Sequence, residues 1–123
     1  ELETLLAAAL ERPRRKRIHV LRLKLKAIRY QEECLLGRRA NRSHFLKRLK
    51  EVLRRLGKYE ELAQFRKLAK RLGLESRPAI VRDWRHAAKR TRSLLTDLDW
   101  IPAHLRSRKS HVTPERHSTQ LAG

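Results

Sequence analysis

The chain has 123 residues, in which 32 lysines and arginines face 13 acids for a formal charge of +19. That length holds one domain of ordinary size plus tails and excludes two independent cores. The charge would repel itself in a free compact monomer, so it asks for a polyanionic partner. Nucleic acid fits better than a membrane surface, because the cations are spread along the whole chain instead of backing one exposed apolar stripe. No apolar run approaches the ~20 residues needed to span a bilayer, so a soluble protein is expected. Cys34 is the lone cysteine, which excludes an internal disulfide framework and suits a reducing compartment. The chain starts at Glu1 and has no methionine, which suggests a trimmed presequence or a fragment.

Leu2, Leu5, Leu6, Ala9 and Leu10 stand at helical spacing until Pro13 interrupts them, predicting a short docked helix. From Pro13 to Gln31 there is no acid, and Ile18, Leu21, Leu25, Ile28 and Leu35 predict a long amphipathic helix ending near Gly37. Leu21, Leu23 and Leu25 also alternate with cations as in a half-buried strand. The helix is preferred, because the residues are strong helix formers and no partner strand is evident. A polar turn, Arg38 to Ser43, follows, with Asn41 or Ser43 as N-cap of the next helix. That helix carries Phe45, Leu46, Leu49, Val52, Leu53 and Leu56, with Gly57 as its C-cap. A further helix carries Leu62, Phe65, Leu68, Ala69 and Leu72 and stops at Gly73, where Leu74 folds back. Pro78 suits the first turn of another helix, with a stripe from Ile80 through Trp84 to Leu98 and Pro102 as its latest end. From Ala103 the chain is polar and basic, a tail expected to order only on a partner.

Enzymatic chemistry has little to stand on. Cys34 lies beside apolar helix positions and reads as a buried structural thiol. His19, His44, His86, His104, His111 and His117 are too dispersed for a zinc site and are expected to be phosphate or carbonyl partners, or solvated. The adjacent carboxylates Glu32/Glu33 and Glu60/Glu61 point apart on a helix, and no glycine-rich phosphate loop occurs. What remains is cations on helical faces. Arg22, Lys24, Lys26 and Arg29 form one group, and Lys47, Arg48, Lys50, Arg54 and Arg55 form another. Between Arg38 and Lys58 the only acid is Glu51. Such faces present cations rigidly to phosphates and suit folded RNA, which is recognised by shape, backbone and 2′-hydroxyls.

Ile28 to Leu35, the basic turn through His44, and Phe65-Arg66-Lys67-Leu68-Ala69-Lys70-Arg71-Leu72-Gly73-Leu74 together resemble small-subunit ribosomal protein fifteen, above all its divergent mitochondrial versions. The resemblance covers roughly residues 18–75. It implies a short helix, a long helical hairpin and a last helix ending in an aromatic-x-x-Leu-x-x-x-Leu-Gly-Leu pattern, matched by Phe65, Leu68, Leu72, Gly73 and Leu74. It further implies docking on a three-way junction of small-subunit ribosomal RNA through the turn between the hairpin helices, here Arg38, Arg39, Asn41, Arg42, Ser43 and His44. The chain departs from the family where Arg12-Pro13-Arg14-Arg15-Lys16-Arg17 replaces a Thr-Gly-Ser loop, and its third helix reads about two turns short.

The expected protein is thus all-α: a small helical bundle with a basic hairpin over 1–75, an added helix over 76–102 and a basic tail over 103–123. Its expected role is a structural constituent of a ribosome, with no enzymatic activity, cofactor, metal or small-molecule substrate. Its partners are ribosomal RNA and neighbouring ribosomal proteins, without membrane, in mitochondria or else in the nucleolus or cytoplasm. The alternatives are a ribosome-assembly factor and a helical protein–protein adaptor, the latter favoured locally by Trp84 and Trp100.

Overall fold

The computed structural model describes residues 1–108 and contains no strand among them. Its helices are α1 (Leu2–Glu11), α2 (Arg15–Leu36), α3 (His44–Arg71) and α4 (Pro78–Leu95), with a 3-10 turn at Gly37–Arg42. A further helical segment covers 100–108. The all-α bundle expected from the periodicity is the fold observed.

α2 explains its own strand-like leucines. Leu21 and Leu25 are fully buried, whereas Leu23 is 52% exposed, because residues two apart on a helix point about 200° away from each other. The helix therefore has two apolar stripes, and the alternation of Leu21, Leu23 and Leu25 comes from both. Towards its end the core register runs from Ile28 to Glu32, with Leu36 partly buried. Leu35 and Cys34, expected inside, are exposed instead, since a four-residue step from Ile28 lands on Glu32. At Gly37 the backbone takes φ 57° and ψ −123°, a conformation that side chains disfavour and glycine accepts. There α2 ends and the chain reverses.

Ser43 starts α3 by accepting a hydrogen bond from the Leu46 amide at 3.1 Å, satisfying one of the orphan donors of the first turn. Gly57, expected to end this helix, lies inside it, and the two short helices anticipated on either side are one of 28 residues. Packing overrides its poor propensity, which costs roughly 1 kcal/mol. A Cβ there would stand 3.2 Å from the Arg22 guanidinium, so the glycine admits the arginine of α2. The stop at Gly73 is as expected. Its φ is 71°, its amide donates to Lys70 O at 3.1 Å, and Leu74 N–H donates to Ala69 O at 2.8 Å. These are the paired bonds of a left-handed helix cap.

α4 has Pro78 in its first turn, where no amide donor is required. It ends at Leu95, short of the expected Leu98. Pro102 is no terminator, because it falls in the first turn of the segment 100–108. That segment also gives helical structure to 103–108, which were expected to be tail; the rest of the expected tail, 109–123, lies outside the described residues. Leu95, Leu98 and Ile101 share one core with Ile18, Leu21, Leu25, Leu46, Leu49 and Leu56. Each such side chain contributes about 1.5–3 kcal/mol by leaving water. Residues 78–101 are thus built into the same core as 1–75.

Candidate nucleic-acid interface

At one end of the hairpin, the turn and the start of α3 gather Arg38, Arg39, Asn41, Arg42, His44 and Lys47, all exposed. Among the described residues none of these cations has an ion-pair partner, and Ser43 is occupied as the α3 cap. The backbone beneath them is held firmly. Phe45 and Leu46 enter the core, the Phe45 ring stacks on His104 at 3.7 Å, and its edge meets Trp100 at 5.6 Å. Arg48 is fixed beside this cluster, with its guanidinium 4.2 Å from the Trp100 ring centre and 3.6 Å from Asp97. The aromatic face and the carboxylate hold its charge in one place.

Farther along α3, Lys47, Glu51, Arg54 and Lys58 follow one outward ridge at helical spacing. Glu51 receives Arg54 at 2.6 Å and Arg55 at 3.2 Å. The Arg54 hydrogen bond is the main reason its carboxyl sits well below the usual range, at about 2. The acid thus spaces two arginines on the surface and stays ionised beside them.

The cations expected on α2 are not one face. Arg22 is turned inward, with Nη1 at 2.7 Å from Glu60, whose other oxygen meets His19 Nδ1 at 2.6 Å. Arg29 is bonded to Glu33 at 2.6 Å. Lys24 and Lys26 carry no ion pair among the described residues, but they flank opposite edges of the outward apolar stripe. Of the α2 group, only these two lysines keep an unengaged charge.

Lys58, Lys89 and Arg90 were not singled out from sequence. With Arg54 and Arg55 they line a groove of about 720 Å³ between α3 and α4. Its floor includes Tyr59, buried at 4% exposure, whose hydroxyl donates to Pro13 O at 3.0 Å. Burial pushes the phenol's pKa up, so it remains a neutral donor. Only the pairing of α3 with α4 brings these cations together, and no local motif announces it.

Two histidines expected to be solvated or phosphate-facing instead meet buried carboxylates: His19 meets Glu60, and His104 meets Glu32 at 3.3 Å. Arg108 also pairs with Glu32. No group of three or more His, Cys, Asp or Glu side chains among the described residues could hold a metal ion. No described helix is long and apolar enough to cross a membrane. Comparison with protein-family models, curated proteins and solved structures finds no match to this chain.

Proposed function

We propose that this protein is a structural, non-enzymatic RNA-binding constituent of a ribosome, a small-subunit component of the mitochondrial kind. One observation carries the RNA-binding reading. Arg38, Arg39 and Arg42 project from a capped hairpin end with no acid paired to them among the described residues. Unpaired cations on a fixed backbone are suited to phosphates whose spacing is itself fixed, as where RNA helices meet. From the turn, the α3 ridge leads to the Arg54, Arg55, Lys58, Lys89 and Arg90 groove, which extends the same charge along the molecule. The ribosomal assignment rests on the resemblance of residues 18–75 to small-subunit ribosomal protein fifteen, whose junction-binding turn corresponds to 38–44. The short helix, the hairpin and the Gly73 cap support that reading, although the separate last helix that the resemblance implies is here the second half of α3. The mechanism is scaffolding: the hairpin end favours one junction geometry by neutralising the phosphates that crowd there.

The test is binding of folded junction RNA over a series of salt concentrations. Replacing Arg38, Arg39 and Arg42 with alanine should weaken binding and flatten the salt slope by up to about 0.9 per lost phosphate contact, taking duplex DNA as guide. An unchanged slope would remove the turn from the interface.

A further inference from the structure

The second apolar stripe of α2 serves no purpose in the core. Val20, Leu23, Ala27, Tyr30 and Cys34 recur at alternating three- and four-residue steps. All five are exposed, Val20 at 48% and both Leu23 and Tyr30 at 52%. At about 100° per residue they stand nearly opposite Ile18, Leu21, Leu25 and Ile28, out of reach of α1 and α3. A single exposed leucine needs no explanation. Five apolar positions in heptad register over about 21 Å form a seam of the kind that pairs with another helix.

The edges of the seam say what kind of helix. Lys24 borders it on one side and Lys26 on the other, both without an ion pair among the described residues, while the acid nearest its end, Glu33, is engaged by Arg29. We propose that this face seats an amphipathic helix of a neighbouring protein, apolar at heptad spacing and acidic along both flanks. A second copy is the wrong occupant, since it would bring the same flanking lysines and two charges of +19 together. A phosphate backbone could satisfy the lysines but offers nothing apolar to Leu23, Ala27 and Tyr30. Residues 109–123 carry no heptad pattern in their sequence that could fill the seam.

The probe is a synthetic three-heptad helix with leucine at its seam positions and glutamate on both flanks, titrated into the nuclease-treated full chain. A second peptide carries lysine on the flanks. The glutamate peptide should bind, and the lysine peptide should bind at least about tenfold more weakly. Changing Leu23→Gln and Tyr30→Gln together leaves core and charge untouched, and should weaken the glutamate peptide at least about tenfold with the circular-dichroism spectrum unchanged. The proposal is overturned if the glutamate peptide does not bind, or if the double variant holds it as tightly as the parent, because the attraction would then be charge alone. A concentration-dependent dimer abolished by the double variant would assign the face to a second copy. Loss of junction-RNA affinity in that variant would assign it to RNA. Neither of those two results alters the reading of the 38–44 turn, which the arginine variants test separately.

Discussion

Along α2, Arg22 and His19 are bonded to Glu60 and Arg29 to Glu33, whereas Lys47 on α3 and the arginines of the adjoining turn have no partner among the described residues. The two arms are similarly basic, and their packing separates their roles. α2 crosses α3 at Gly57, where the close approach draws the Arg22 guanidinium onto a carboxylate nine-tenths buried. The outward ridge of α3 meets no buried acid, so among the described residues its charge is answered only by Glu51. Charge in a basic helix becomes structural where a neighbour supplies a buried acid, and stays available for a ligand where none does.

Removing the buried acid should break that division most severely. Glu60→Ala leaves Arg22, itself only 28% exposed, without its counter-charge, and breaking such a pair from one side costs about 3 kcal/mol. Urea unfolding should report that loss, together with a shift of Arg22 towards solvent. A change below about 0.5 kcal/mol, the range of ordinary surface substitutions, would mean that α2 does not depend on the pair.

The turn joining the arms comes next in size. Gly37→Ala places a side chain at φ 57°, with nothing within 4 Å to clash, so its cost is backbone strain of about 1–2 kcal/mol. Gly57→Ala is the reverse case: ordinary helical φ, better helix propensity by up to about 1 kcal/mol, and a tight contact with Arg22 at 3.2 Å. Thermal unfolding should therefore show Gly37→Ala as the more damaging of the two. The opposite order would mean that the Arg22 crossing, and not the turn, sets how the arms meet.

On the display side, Glu51→Gln sharpens the contrast. Without the carboxylate that holds them, Arg54 and Arg55 become free to meet phosphates. Junction-RNA affinity should rise and its salt slope steepen by about 0.9 for each phosphate gained. An unaltered slope would place the ridge outside the interface.

The helical arms could be read from the sequence because burial imposes a period, and Ile18, Leu21 and Leu25 or Leu46, Leu49 and Leu56 display it without help from the rest of the chain. The Gly73 stop was legible for the same local reason. Gly57 misled, since the same Arg-Leu pair precedes Gly57 and Gly73 and only the crossing with α2 distinguishes them. Nothing in the sequence marked Glu32 and Glu60 as buried, because a carboxylate on a core stripe announces nothing until its partners are known, and these stand 72 and 41 residues away at His104 and His19. The 38–44 turn was legible as three arginines with no acid among them, leading into one cap. The Lys58, Lys89 and Arg90 side of the groove was not, because it exists only once α4 lies against α3.

The smallest effect concerns the segment 100–108, which ties itself to the end of α2 near the hairpin turn. His104 stacks on Phe45, and burial there lowers its pKa from the ordinary histidine value. Arg108 lies on the same Glu32 carboxylate, so the acid has a cation without drawing a proton onto the imidazole. As pH falls, the unfolded chain takes up the proton first, since its histidine titrates near about 6.5. The His104 contribution is therefore complete above that value and is lost as pH falls through it towards the lower folded pKa. Comparing melting temperatures at about pH 7 and about pH 5, the parent should lose more than a His104→Gln variant, which has no imidazole to protonate. The difference should be small, because the side chain is 37% exposed and water screens part of the charge. An equal loss in both proteins would show that the clamp on the charge-binding α2 arm holds without regard to the protonation of His104, leaving the Phe45 stack as its whole basis.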